Sequence, residues 1–222
     1  MVKPIHPWPR PASDSEKTQK LYRVNEIFAS LQGEGAMAGS ANIFIRFAGC
    51  NLRCDIEEGE LSPGGFACDT EFASFQQLSP TEIVECAREQ NPKVKRCILT
   101  GGEPGLQIDQ VLVTVLREAG FLIAIETNGT VDVSALELDW ITVSPKVAEH
   151  AIKQRWADEV KYVRAMGQGI PRTVVDATHH FISPAFDGSH LDHATLQWCI
   201  NLVKENPDWK LSLQLHKFMN IR

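Results

Sequence analysis

Three cysteines stand in one short segment, Cys50-Asn51-Leu52-Arg53-Cys54 and then, after thirteen intervening residues, Cys68-Asp69-Thr70. A [4Fe–4S] cluster held by four thiolates is a sealed electron carrier, whereas one held by three leaves an iron free to bind a substrate or cofactor. Zinc suits the segment less well, because it seeks four ligands and no cysteine or histidine pair with compact finger spacing completes the set. Burial as apolar thiols is the other ordinary reading. It fits Cys86 and Cys199, on the apolar faces of predicted helices, and Cys97, in a predicted strand.

Other polar motifs fall where predicted strands end. In Gly101-Gly102-Glu103-Pro104 the glycines let a backbone approach a ligand closely, and a strand-end turn exposes amide and carbonyl groups. Two glycines alone would be a plain strand-to-helix turn. Ser144-Pro145-Lys146 offers hydroxyl and ammonium donors at the end of another strand. His179 and His180 are adjacent in a strand and point to opposite faces, so they make no ligand pair.

The elements that position these groups alternate between strand and helix. Asn42–Ala48 places Ile43, Ile45 and Phe47 on one face and Phe44 and Arg46 on the other, and reads as the first core strand. Ser79-Pro80-Thr81-Glu82 combines an N-cap, a proline at the first helical position and a capping-box glutamate, which predicts a helix to about Gln90. Arg96–Thr100 reads as a short buried strand, followed by a helix carrying Ile108, Val111, Leu112, Val115, Leu116 and Ala119 that Gly120 stops. Further strands are expected at Phe121–Glu126, Trp140–Val143, Glu159–Arg164, His179–Ile182 and Leu211–Leu215. Asp192 caps a helix whose Leu196, Cys199, Ile200 and Val203 share a face. This order implies a largely parallel α/β sheet. The chain is shorter than a full eight-unit barrel, so a partial, open TIM-like barrel is expected, with a flat doubly wound sheet as the alternative.

At 222 residues the chain suits one domain, and 43% hydrophobic with 23% charged residues is a soluble globular composition. The net charge of −6 argues against broad electrostatic binding to nucleic acid or an anionic membrane. Residues 1–20, with Pro4, Pro7, Pro9 and Pro11, lack the apolar core of a signal peptide and read as a flexible extension before a single domain over 21–222. No run is long enough to span a bilayer, and a cytoplasmic protein is expected, where thiols serve metals or catalysis more often than disulfides.

Taken together the motifs resemble the radical S-adenosylmethionine enzymes, and within them the 7-carboxy-7-deazaguanine synthase family, from about Val24 to Arg222. The resemblance rests on Leu31-Gln32-Gly33-Glu34-Gly35, Phe44-Ile45-Arg46, the cysteine loop, Thr100-Gly101-Gly102-Glu103-Pro104, Glu126-Thr127-Asn128-Gly129, Ser144-Pro145-Lys146 and Leu215-His216-Lys217 in this order. The chain departs from the common radical-enzyme spacing in Asp55–Ala67, which separates the second and third cysteines and ends in the loop-forming Ser62-Pro63-Gly64-Gly65. Variation in this loop is a habit of the family that the chain resembles.

The resemblance implies a [4Fe–4S] cluster on Cys50, Cys54 and Cys68, S-adenosylmethionine, and Mg²⁺. It also implies the ring contraction of 6-carboxy-5,6,7,8-tetrahydropterin to 7-carboxy-7-deazaguanine with loss of ammonia. Ala67, Asp69, Gly102, Glu103, Ser144, Pro145, Lys146 and Ser183 are the implied cofactor contacts, with Ser183-Pro184 standing where many relatives have Gln-Pro. Thr70 can offer a hydroxyl to Mg²⁺, or simply cap its loop. Gln32, Gly33 and Glu34, with Leu31, are candidates for the pterin's polar edge. Arg46 offers a fixed fork of donors to the substrate carboxylate, against the plainer reading of a cross-strand charge. Thr100 and the terminal Arg222 complete the implied substrate contacts. A flavodoxin or ferredoxin electron donor and a homodimer are also implied. A glycyl-radical-enzyme activase shares the same front-end chemistry and is the alternative, and a zinc-bound interaction module is the non-enzymatic one.

Overall fold

The computed structural model describes residues 20–55, 68, 70–186 and 190–221. The expected amino-terminal extension and the Asp55–Ala67 insertion lie almost wholly outside them. Among the described residues nine strands form one sheet in the order β3-β1-β2-β4-β5-β6-β7-β8-β9. They are β1 Tyr22–Leu31, β2 Ala41–Phe47, β3 Gln76–Leu78, β4 Arg96–Gly101, β5 Leu122–Thr127, β6 Trp140–Val143, β7 Trp156–Arg164, β8 Asp176–Pro184 and β9 Trp209–Leu211. β1 pairs antiparallel with β2 and β3, and every pairing from β2 to β9 is parallel. The end strands β3 and β9 do not pair with each other, so the sheet is an open, partial barrel.

The helix starts follow local chemistry. α1, Pro80–Gln90, begins with a complete capping box, in which Ser79 Oγ accepts from the Glu82 amide and the Glu82 carboxylate accepts from the Ser79 amide. Asp109 caps α2, Gln110–Glu118, and Asp192 caps α3, His193–Glu205, each by accepting from an amide three residues on. α4, Leu215–Met219, closes the described chain. No described helix is long and apolar enough to cross a membrane.

Alternation along the strands gives the sheet two unlike faces. One carries Ile43, Ile45, Phe47, Leu99, Ile123, Ile125, Val143 and Val160 into a large apolar core against the helices. The other carries Phe28, Phe44, Ile98 and Ala124, with Trp140 packed against them, as a small apolar floor. Phe28 and Phe44 stack there at 5.1 Å.

Above this floor the register lays a polar row across the sheet. Glu26 faces Arg46, Arg46 faces Thr100, Glu126 faces Thr142, Thr142 faces Glu159 and Glu159 faces His179. Leu99 pairs with Ile125, which brings Thr100 level with Glu126.

Three differences from the sequence expectations stand out. The first core strand is β1, not Asn42–Ala48. No α-helix fills the crossovers from β5 to β6, β6 to β7 or β7 to β8. Loop residues including Val133, Ile152 and Val175 cover that stretch of the core instead. The strand expected at Leu211–Leu215 ends at Leu211, with one further ladder bond from the Ser212 amide to the Ile182 carbonyl, and Leu215 begins α4.

Candidate active site

The cysteine loop leaves the carboxyl end of β2, and the neighbouring strand ends hold it. The Gly102 amide donates to the Phe47 carbonyl at 3.0 Å, and the Glu103 amide donates to the Gly49 carbonyl at 2.9 Å. A Cβ on Gly102 would lie 2.1 Å from the Gly49 oxygen and 3.1 Å from Cys50 Cβ, so only glycine lets β4 seat the start of this loop. From β5, Asn128 Nδ2 donates to Asn51 Oδ1 at 3.2 Å, and Asn51 Nδ2 donates to Thr130 Oγ1 at 2.8 Å. The Cys68 amide donates to the Cys54 carbonyl at 3.1 Å, which returns the third cysteine to the second across the insertion.

The thiol environment fits a cluster. Burial pushes the Cys50 and Cys54 thiols up from their ordinary pKa, and each of the three cysteines lies in the electrostatic field of another. Lys146 opposes that shift at Cys54, which sets its ammonium near the loop. The Leu52 amide donates to Cys50 Sγ at 3.4 Å, and Asn128 Nδ2 lies 4.0 Å from the same sulfur. N–H groups directed at a sulfur stabilise its thiolate form. Among the described residues no three His, Cys, Asp or Glu side chains gather as ligands of one ion. The sulfurs are neighbours without sharing one centre, and a cuboidal cluster asks each thiolate to bind its own iron.

The other expected cofactor contacts sit along the same edge of the sheet. Ser144 follows β6 and donates its amide to the Thr127 carbonyl at 2.8 Å; Pro145 is buried and Lys146 half-buried. Ser183, 1% exposed, lies near the end of β8. Thr70 is half-buried, and its carbonyl lies 3.8 Å from Cys68 Sγ. Ala67, Asp69 and Arg222 lie outside the described residues.

Glu103 is wholly buried, and its carboxylate accepts from Thr127 Oγ1 at 2.7 Å, the Asn128 amide at 2.7 Å and the Gly105 amide at 2.9 Å. Burial pushes its pKa up. Its side chain therefore ties β4 to β5, while its amide donates to Gly49 and its carbonyl accepts from Leu106 at 3.3 Å, so Glu103 anchors the turn from beneath and presents no open group to a ligand.

The Leu31–Gly35 segment reaches the site by an unexpected route. Because β1 runs antiparallel to β2, the segment leaves the sheet at the end opposite the cysteines. It then folds against the inner face. Gln32 Nε2 donates to Glu126 Oε1 at 2.7 Å, Thr100 Oγ1 lies 3.3 Å from Glu126 Oε2, and the Ala36 amide donates to Glu159 Oε2 at 2.8 Å. Gln32, Glu126, Trp140, Thr142 and Glu159 line a small cavity.

The open side of the barrel closes where this segment meets the chain's last stretch. The Leu215 amide donates to the Gly33 carbonyl at 3.0 Å, and the Gly35 amide donates to Ser212 Oγ at 2.9 Å. A Cβ on Gly33 would lie 2.2 Å from His216 Nδ1, so this contact too depends on glycine.

Charge on the inner face centres on Lys161. Burial by itself would push its pKa down, yet Glu34, Glu126 and Glu159 hold it above the ordinary lysine value. Its partner Glu34 forms a buried ion pair with it. Burial would raise the Glu34 carboxyl, but Lys161 and then His216 keep it below its usual range. Glu159, also buried, is pushed up. Arg46 Nε pairs with Glu26 Oε1 across the strands at 2.8 Å, and its guanidinium stands 5.7 Å from the Phe28 ring centre. The cross-strand charge is therefore present, and the arginine remains half-buried on the inner face.

Glu126, Thr142, Glu159, Lys161 and Gln214 were not named among the site residues from sequence. Glu126 and His216 lay inside motifs already singled out. Glu159 and Lys161 of β7, of opposite charge, are two apart and so share a face, which is the available signal.

An open parallel sheet with a three-cysteine loop at its strand ends has the architecture of a radical S-adenosylmethionine protein. No protein-family model matches the chain. It is 35% identical to the 7-carboxy-7-deazaguanine synthase of Bordetella pertussis over 213 residues, covering 90% of this chain and 99% of that one. It is 36% identical to that of Caulobacter vibrioides over 211 residues, with the same coverage, and 39% identical to that of Bacteroides thetaiotaomicron over 203 residues, covering 91% and 100%. A crystal structure of QueE from Escherichia coli superposes with a TM-score of 0.62 at 24% identity, covering 88% of this chain and 95% of that one, and so shares the fold. The chain belongs to the 7-carboxy-7-deazaguanine synthase family.

Proposed function

We propose that the chain carries out its family's reaction, forming 7-carboxy-7-deazaguanine from 6-carboxy-5,6,7,8-tetrahydropterin in 7-deazapurine biosynthesis. The observation that carries this reading is the three-cysteine loop at the carboxyl end of β2, on a sheet whose inner face carries the polar row of Arg46, Thr100, Glu126, Thr142 and Glu159. When bound, the [4Fe–4S] cluster and S-adenosylmethionine supply a 5′-deoxyadenosyl radical, and Mg²⁺ balances the substrate carboxylate.

The chain's own residues do the positioning. Cys50, Cys54 and Cys68 hold the cluster, with Asn51 and Asn128 bracing the loop that carries them. Gly102, together with Ser144, Lys146 and Ser183, receives the cofactor along the strand ends, with the buried Glu103 holding the Gly101–Pro104 turn in place beneath it, while Thr70 offers its hydroxyl to Mg²⁺. Arg46 and Thr100 face the substrate's acidic side. Glu126, fixed by Gln32 and Thr100, presents a carboxylate to a donor edge of the ring. The Leu31–Gly35 segment and α4 shut the open side of the barrel and exclude water, which strengthens each of these contacts.

A flavodoxin- or ferredoxin-type electron donor and a homodimer accompany this reading. They rest on resemblance to the family. The test is anaerobic reconstitution, then incubation with reductant, S-adenosylmethionine and the carboxytetrahydropterin. A product with the mass of 7-carboxy-7-deazaguanine is expected. Cofactor cleavage without that product would favour the activase reading, and a colourless protein without iron would favour the zinc module.

A further inference from the structure

Among the described residues two buried side-chain oxygens have no hydrogen-bond partner, Asn42 Oδ1 and Gln214 Oε1. A buried acceptor without a donor is costly, and such groups in a folded chain call for an explanation. Asn42 lies near the start of β2, at the end of the sheet away from the cysteine loop. Gln214 has a different setting. It stands just before α4, beside the joint between Leu215 and Gly33, and its Nε2 donates to Glu34 Oε1 at 3.1 Å.

That hydrogen bond decides which way the amide points. Glu34 is held ionised by Lys161, and an ionised carboxylate only accepts, so the NH₂ end of Gln214 must face it. The carbonyl end is then left as an acceptor pointing away from the ion pair. The carboxylate that anchors the amide lies in the field of Lys161 and His216, and Lys161 in turn lies in the field of Glu126 and Glu159 on the inner face. Lys161 is engaged with Glu34 and has three carboxylates to balance. The ring of a tetrahydropterin brings several N–H donors.

We propose that Gln214 is a substrate-binding residue whose Oε1 accepts the N–H at position 5 or 8 of the reduced pterin ring, and that Glu34 and Lys161 are positioning residues that fix its amide in that sense. The inference rests on the functional reading above and adds a specificity contact to it. Loss of one neutral hydrogen bond to substrate corresponds to about a tenfold change in affinity.

The test uses the reconstituted holoenzyme. Gln214→Met keeps length and packing while removing the acceptor. Its KM for the carboxytetrahydropterin should rise about tenfold with kcat nearly unchanged, and calorimetric binding in the presence of S-adenosylmethionine without reductant should weaken by the same factor. Iron content and thermal midpoint should stay at parental values, because the variant sheds an unsatisfied polar atom along with one hydrogen bond. A merely structural role would move the midpoint and leave KM alone. Should Gln214→Met fail to fold, Gln214→Asn carries the same measurement with the amide drawn back by one methylene.

Pterin analogues with the N–H at ring position 5 or 8 replaced by CH₂ complete the test as competitive ligands. At one of the two positions the parent should discriminate about tenfold and Gln214→Met should not. Equal penalties in parent and variant at both positions, or an unchanged KM, overturn the proposal. Failure of the parent to form 7-carboxy-7-deazaguanine refutes the functional reading instead, so the two failures are separable.

Discussion

Gly102→Ala should damage the cluster site without touching any group that binds iron. The new Cβ would stand 2.1 Å from the Gly49 carbonyl oxygen and 2.6 Å from its carbon. Ordinary contact begins near 3.4 Å, so one backbone or the other must retreat by roughly 1.3 Å, the gap between 2.1 and 3.4 Å. Two hydrogen bonds cross this joint, from the Gly102 amide to Phe47 at 3.0 Å and from the Glu103 amide to Gly49 at 2.9 Å. Neither survives such a shift. Each contributes about 1 kcal/mol net, and somewhat more where the freed groups stay buried, so the loss is at least about 2 kcal/mol. For a chain of this size that lowers the thermal midpoint by about 4–8 °C.

The larger consequence is positional. Cys50 Cβ lies 3.1 Å from the added methyl, so the first cluster ligand moves with the loop. Differential scanning calorimetry gives the midpoint, and iron and sulfide analysis after anaerobic reconstitution gives the cluster content. Gly169→Ala is the control, since a Cβ there meets nothing within 4 Å, and it should be neutral or slightly stabilising. Parental midpoint and iron content in Gly102→Ala would refute the close-packing argument.

The remaining predictions concern metal and protons. Cys50→Ala, Cys54→Ala and Cys68→Ala should each impair cluster assembly and abolish turnover, while Cys86→Ala and Cys199→Ala, at buried thiols, keep the cluster; full iron content in the Cys68 variant would remove it from the ligand set. Thr70→Ala should weaken stimulation by Mg²⁺ more than it weakens binding of S-adenosylmethionine, and an identical Mg²⁺ titration in parent and variant would dismiss the hydroxyl as a ligand. Burial holds the Glu159 carboxyl above its ordinary value of 4.5, so over the window from there up to its folded pKa the folded chain keeps a proton that the unfolded chain has lost. Its contribution to stability therefore falls as pH rises through that window and is level above it. Glu159→Gln does not titrate, so urea midpoints should show the variant gaining on the parent with rising pH, and a difference independent of pH would sink the assignment.

Signals that act within one turn of chain were the legible ones. The Ser79–Glu82 capping box, the Asp192 cap and the stop at Gly120 all appear where the sequence places them, because each is completed by residues at most a few positions away. β1 was missed for a reason visible in its register. An irregularity between Val24 and Glu26 breaks the alternation, so Val24, Ile27 and Phe28 are all buried and no single period describes them. The end of β9 was misread because Leu211, Leu213 and Leu215 alternate as in a strand, while what ends the strand is distant. Leu215 turns its amide to Gly33, and Gln214 turns its side chain to Glu34. The general alternation of strand and helix fails from β5 to β8 for a similar reason, since loop residues such as Val133 and Val175 cover a strand's apolar face without any helical period.

The site itself was legible at the cysteine loop and far less so on the inner face, and the difference lies in what an alternating strand means. A polar residue at every second position ordinarily marks solvent. In an open barrel the same pattern faces the interior, so Thr142, Glu159 and Lys161 carry a surface-like pattern yet are almost fully buried. Nothing local separates the two cases. What separates them is closure by the Leu31–Gly35 segment and α4, two stretches some 180 residues apart that meet through Gly33 and Glu34. Burial of those polar side chains, the ionised state of Glu34 and the orientation of Gln214 all follow from that one joint. The inner face is thus a property of the closed chain, and perturbing the joint should alter substrate recognition while the cluster loop, held separately by Gly102, Asn51 and Asn128, keeps its iron.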